Sequence, residues 1–123
     1  MRADQSLAQS LSRESFEESR KDARVRTAFA RWSRCMRREG FRYAGPLDPP
    51  DDPRFRGAPS GAERAVAVAD VRCKAATRLV GVWSAVEAAR QRELIRAHLR
   101  DLTKIAEMNE YRLARARDLR GAP

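Results

Sequence analysis

Residues 40–61 read GFRYAGPLDPPDDPRFRGAPSG and hold nine of the twelve glycines and prolines in a chain of 123 residues. Proline lacks a backbone donor and its ring clashes with the preceding turn, so no helix continues through such a stretch. On either side Gly and Pro are nearly absent, and apolar residues recur at intervals of three and four, the helical spacing. The segment therefore divides a single helical domain, residues 1–123, into helix, loop and helix. The expected fold is all-α: an antiparallel helical hairpin with a short N-terminal helix, a long Pro/Asp-rich loop over 40–60 and a long C-terminal helix.

N-terminal to the loop, Val25, Phe29, Trp32, Cys35 and Met36 fall on one face, which predicts a helix over 22–39. Asp22 can cap its start and Gly40 stands just past its end. The preceding residues offer only Leu7, Leu11 and Phe16 as apolar anchors, so a weaker helix is expected over 1–21.

C-terminal to the loop, Ser60 followed by Glu63 matches a capping box, in which each side chain satisfies an early backbone donor. Val66, Ala69, Cys73, Ala76, Val80 and Trp83 then form one stripe, and Val68, Val71, Leu79, Val82 and Val86 an adjacent one. So wide an apolar face predicts burial from two sides. Beyond Val86 the pattern narrows to Leu94, Ile95, Leu99, Leu102, Ile105 and Leu113, the seam of a helix with one neighbour, as in a coiled coil. An unbroken helix over 61–120 would extend about 90 Å, against roughly 55 Å for the N-terminal half. Its end must project, bend at a kink near 81–88, or meet a second copy, which makes self-association through the C-terminal helix one expectation.

The formal charge is +9, from 26 Lys and Arg against 17 Asp and Glu. An acidic partner such as nucleic acid or an anionic membrane surface would suit that excess. The basic residues are scattered among acids, however, and 23 of the 26 are arginine, which ordinary solvated helix faces explain equally well. No stretch approaches the ~18 consecutive apolar residues of a membrane span. Residues 1–30 lack the apolar core and cleavage site of a signal peptide, so a cytoplasmic place is one expectation.

Residue types with chemical potential are sparse. Two cysteines and one histidine fall short of the four ligands of a structural zinc site. His98 has no positioned nucleophile beside it. Glu17 and Glu18, and Asp48, Asp51 and Asp52 in the loop, read as solvating or arginine-binding groups, not as a catalytic pair. The segment LDPPDD lacks the ligand spacing of a Ca²⁺ loop, and no Gly-rich phosphate loop occurs. The expectation is a chain that is not an enzyme and carries no cofactor. Near the loop, Trp32, Phe41, Tyr43 and Phe55 with Arg31, Arg34, Arg37, Arg38, Arg42, Arg54 and Arg56 could stack on exposed bases, the best argument for nucleic acid. The alternative is that Trp32 belongs to the apolar stripe while the other three rings pin the loop to the helices.

The cysteines admit three readings. Cys35 and Cys73 both lie on inward stripes, and a hairpin whose loop lies along the first helix can bring them together as a disulfide, which persists only in an oxidising compartment. They can equally be reduced and buried. Cys35 could also be an activated thiolate among Arg34, Arg37 and Arg38, although the negative end of a helix dipole disfavours that charge.

The stretches DARVRTAFARWSRCMRREGFRY, DPRF and PSGAERAVAVADVRCKAATRLVGVWSAVEAARQRELI resemble a family of small, uncharacterised proteins from Streptomyces and related actinobacteria, many of them secreted or lipoprotein-like. The shared pattern is W-S-x-C-M-x3-G, a Pro- and Asp-rich loop, then A-D-V-x-C-K and a V-W-x-x-V-E helix, over about residues 22–95. Its positions here are Trp32, Cys35, Met36, Gly40, Asp70, Cys73, Lys74, Trp83 and Glu87. The resemblance implies a secreted or envelope-associated helical protein with Cys35 paired to Cys73, and it implies no activity; the expectation drawn from the whole sequence is a surface presented to a protein or cell-wall partner. Asp70, Lys74 and Glu87 then belong to that surface or form ion pairs beside the cysteines. The chain departs from the pattern in having no export signal or lipobox cysteine ahead of Asp22.

Overall fold

The computed structural model describes residues 2–121, and among them every regular element is helical. Helices α1 (Arg2–Lys21) and α2 (Ala23–Arg38) precede the loop, which contains two single-turn 3-10 helices, Pro49–Asp51 and Pro53–Phe55. Helices α3 (Gly61–Thr77), α4 (Leu79–Ala97) and α5 (Leu99–Gly121) follow.

Local chemistry sets the ends of α2. Asp22 is extended, and its carboxylate accepts a bond from the Arg24 N–H at 2.9 Å, satisfying one early donor. At the other end Gly40 adopts φ +95°, donating to the Arg37 carbonyl at 3.0 Å while Phe41 donates to the Met36 carbonyl at 2.9 Å. These paired bonds are those of a glycine-terminated helix, and a side chain at this φ would be strained. At the start of α3 the Ser60 hydroxyl accepts from the Glu63 N–H at 3.1 Å. Only this half of the expected capping box forms, since Glu63 Oε2 is buried with no partner.

The loop explains how α3 comes to lie where it does. Phe41 bonds Met36, the Ser33 hydroxyl donates to the Tyr43 carbonyl at 2.6 Å, and Gly45 lies beside the Phe29 ring. The chain thus runs back along α2 before α3 begins, and the couplings between α2 and α3 ascend together, Trp32 with Asp70 and Cys35 with Cys73. The descending register expected of a hairpin is found with α4 instead. Trp83 meets Phe16, Ser19 and Phe29, whereas Leu94 and Ile95 lie beside Ala8 and Leu11.

The long C-terminal helix expected over 61–120 is three helices, and its breaks fall at Arg78 and His98 instead of within 81–88. Arg78 takes the left-handed conformation, φ 53° and ψ 31°, with its N–H directed to the Lys74 and Ala75 carbonyls. That turn swings Leu79 into the core at 1% exposure. Gly81 sits inside α4 and interrupts nothing. The double stripe is also narrower than its pattern predicts. Only Val66, Ala69 and Cys73 of α3 are buried, whereas Val68 and Val71 of α3 and Val80 of α4 are exposed. A left-handed non-glycine residue costs about 1–2 kcal/mol, partly offset in Arg78→Gly by the greater freedom of glycine in the unfolded chain. The Arg78→Gly variant is expected to be more stable by about 0.5–1 kcal/mol, read as a higher urea midpoint at unchanged slope.

The core joins Ala28, Trp32 and Met36 of α2 to Val66, Ala69 and Cys73 of α3 and to Leu79, with Phe29, Phe41, Tyr43, Phe55, Val82 and Trp83 packed around it. The segment 1–21, expected to be weak, is a full helix over its described residues, with Met1 lying outside them. Leu11, Ser15 and Ser19 recur every four residues and are buried. Two small serines let α4 approach closely, and their hydroxyls bond back to the Ser12 and Phe16 carbonyls. On α5, Leu102 and Ile105 are half-buried, whereas Leu99, Met108, Tyr111, Leu113 and Leu119 are exposed.

Candidate functional site

The residues of the two cysteine motifs divide between the core and one surface groove. Cys35 and Cys73 form a disulfide, with their Cα atoms 5.6 Å apart, and no cysteine is free. Cys73 is fully buried and Cys35 half-buried against the core, so the bond ties the edge of the buried face of α2 to the buried face of α3. Met36 is also fully buried, and Gly40 acts as the helix stop described above.

Beside the disulfide, the Trp32 indole N–H donates to Asp70 Oδ1 at 2.9 Å, and Lys74 Nζ donates to Asp70 Oδ2 at 2.9 Å. One carboxylate therefore serves a buried ring and a half-buried ammonium. The Asp70–Lys74 pair follows from its four-residue helical spacing. The Trp32–Asp70 bond depends on the ascending register of α2 and α3, which spacing alone does not reveal.

Lys74, Trp83 and Glu87 line a shallow groove of about 240 Å³ whose apolar wall includes Phe16, Leu47 and Leu79. Trp83 is fixed from behind: its N–H donates to the Ser19 hydroxyl at 2.8 Å, Phe16 lies 5.4 Å from its ring and Phe29 stands edge-on at 5.0 Å. Glu87 is half-buried at the rim. The groove thus offers an apolar floor, a tethered cation and a carboxylate.

The loop carboxylates are engaged structurally. Asp52 accepts from the Arg54 guanidinium at 2.8 Å, the Arg54 N–H at 3.0 Å and the Tyr43 hydroxyl at 2.7 Å. The Arg54 guanidinium, its backbone N–H and then the Tyr43 hydroxyl hold the Asp52 carboxyl well below the usual carboxylate range. The same Asp52 contact raises Arg54 further, while burial and then Asp52 push the Tyr43 hydroxyl up. The side-chain bonds of Arg24 lower Asp22 in the same way. Asp48 accepts from the Gly45 N–H at 3.0 Å, Asp51 is exposed, and Glu17 pairs with Arg20 at 3.6 Å. His98 ends α4, its N–H directed to the Leu94 and Ile95 carbonyls. Among the described residues no group of three His, Cys, Asp or Glu side chains is placed to hold a metal ion, and no helix is long and apolar enough to cross a membrane.

The aromatic residues that could have stacked on bases face inward. Trp32 is 0% exposed, and Phe41, Tyr43 and Phe55 pack against the core, with Arg54 lying over the Phe55 ring at 5.2 Å. Two features escape sequence reasoning. One is the part of Tyr43 in the Asp52–Tyr43–Arg54 cluster: the loop acids are expected to bind arginine, as Asp52 does, but nothing local brings the Tyr43 hydroxyl to the same carboxylate. The other is the Ser15–Ser19 seam, visible in hindsight as small residues four apart continuing from Leu11.

No family model, curated protein or solved structure matches the chain.

Proposed function

We propose that the protein is a non-enzymatic, extracytoplasmic or envelope-associated helical protein that presents a partner-binding surface. The observation that carries this reading is the Cys35–Cys73 bond, which uses both cysteines to join α2 and α3 across the core. A bond of this kind persists where thiols are not kept reduced. The resemblance of the W-S-x-C-M and A-D-V-x-C-K motifs to secreted actinobacterial proteins points the same way. The surface presented is the groove over Trp83, where Lys74 and Glu87 flank an apolar floor suited to an amphipathic side chain of a protein or cell-wall partner.

The non-enzymatic reading draws support from how the acids are used: Asp22 caps a helix, Asp52 closes the loop, and Asp70 holds Trp32 and Lys74. The packing of Trp32, Phe41, Tyr43 and Phe55 against the core weighs against base stacking as their role. Mass measurement of the natively isolated protein, alkylated before and after reduction, tests the compartment. Both thiols blocked until reduction is the expected result, and two free thiols would overturn the reading.

A further inference from the structure

We propose that the outward face of α2 docks on an anionic membrane surface through its arginines. Between residues 23 and 43 the chain carries seven arginines and one acid, Glu39. With Val25, Ala28, Trp32 and Met36 turned to the core, 100° per residue places Arg26, Arg31, Arg34, Arg37 and Arg38 on the opposite arc, interleaved with Thr27 and Ala30. All five are exposed.

The ion pairs of the described residues lie elsewhere: Arg20 with Glu17, Arg24 with Asp22, Arg54 with Asp52, Lys74 with Asp70 and Arg90 with Glu93. None involves these five arginines or Arg42, which shares a shallow recess with Arg37 and Tyr43. Scattered charge in the sequence thus becomes a one-signed field on the fold. Arg26 and Arg38 are about 18 Å apart along the helix axis, and the rise from each of these arginines to the next is at most ~7.5 Å, less than a Debye length of ~10 Å. Arg37 and Arg38 also sit favourably at the negative end of the helix dipole.

The face suits a flat array of phosphates better than a nucleic acid. It holds no exposed ring, and the disulfide behind it anchors α2 rigidly at Cys35. For a protein at the envelope, the extended anionic surface at hand is phospholipid headgroups. The choice of lipid over nucleic acid rests on the extracytoplasmic reading, whereas the charge geometry does not.

The test is co-sedimentation of the oxidised full chain with vesicles of mixed phosphatidylcholine and phosphatidylglycerol, against vesicles of phosphatidylcholine alone. The expected result is binding to the mixed vesicles only, weakening as salt is added. Each arginine near an anionic surface contributes about a fivefold factor, so Arg31→Gln/Arg34→Gln/Arg38→Gln should bind roughly 100-fold more weakly. The charge-matched variant Arg92→Gln/Arg96→Gln/Arg117→Gln, altered on exposed positions of α4 and α5, should bind nearly as the parent does. Both variants change exposed side chains, and unaltered melting confirms that the fold is intact. Three outcomes overturn the proposal: no binding to mixed vesicles at low salt, equal losses in the two variants, or binding to duplex DNA in place of vesicles. Free thiols in the native protein would overturn the envelope reading and leave vesicle binding unaffected, so the two failures are distinguishable.

Discussion

The double variant Cys35→Ala/Cys73→Ala is expected to melt about 15 °C below the parent protein, one of two stability effects of similar size that the structure predicts. The bond spans 38 residues, and closing a loop of that length removes denatured-state entropy worth roughly 4 kcal/mol. For a domain of this size 1 kcal/mol corresponds to about 4 °C in melting temperature, which gives the figure above. The contribution is large because the packing available to replace it is thin. Among the described residues the buried hydrophobic set is ten, three of them alanine or cysteine, and only three of the ten lie on α3. Adding reductant to the parent should reproduce most of the shift, since both treatments remove the same constraint. A change below about 3 °C in both experiments would mean that the denatured chain already holds α2 and α3 together, or that packing alone carries the domain.

Some of this architecture was legible in the sequence because local chemistry determines it. Asp22, Gly40 and Ser60 each act within a turn of their own position, so the limits of α2 and the start of α3 follow from residue type. The break at Arg78 was not legible, because nothing there is a helix breaker. The left-handed turn costs about 1–2 kcal/mol, and full burial of Leu79 contributes about 2 kcal/mol, with Val86 following it inward. Tertiary packing therefore outweighs local preference, and only the fold shows where. The direction of the loop was hidden for a related reason. Glycine and proline say that a helix stops, not which way the chain then travels, and the bonds at Ser33 and Phe41 that turn the loop back are single contacts within an irregular segment.

The same limit applied to the candidate site. Lys74 and Asp70 were readable as a helical pair, but their meeting with Trp32 required the ascending register of α2 and α3. Likewise Lys74, Trp83 and Glu87 share a groove only because the chain turns at Arg78 between the first of them and the other two. The arginines of α2 gave the opposite error. In one dimension they are interleaved with alanine, valine and aromatic residues and look like background; on a helix with one buried face they collect on the other.

Trp32→Ala is the second large effect, an expected loss of about 4 kcal/mol in unfolding free energy, within the 3–5 kcal/mol typical of removing a buried aromatic ring. Trp32 is 0% exposed, touches both α3 and the returned loop, and donates its only polar hydrogen to Asp70. Trp32→Phe separates these roles: it keeps most of the buried ring and deletes the donor, so its cost reflects the bond to a charged acceptor, about 1.5–3 kcal/mol. Asp70→Asn keeps an oxygen for the indole and loses the Lys74 pair, a half-exposed contact worth under about 1 kcal/mol. Asp70→Ala completes a double-mutant cycle with Trp32→Phe. If the indole and the carboxylate depend on each other, the two losses will fall short of additive by about 0.5–3 kcal/mol in denaturant unfolding. Strict additivity would show that Asp70 is satisfied by Lys74 and water alone. The Trp32 contribution would then be packing only, and the register of α2 on α3 would rest on the disulfide without a second polar tie.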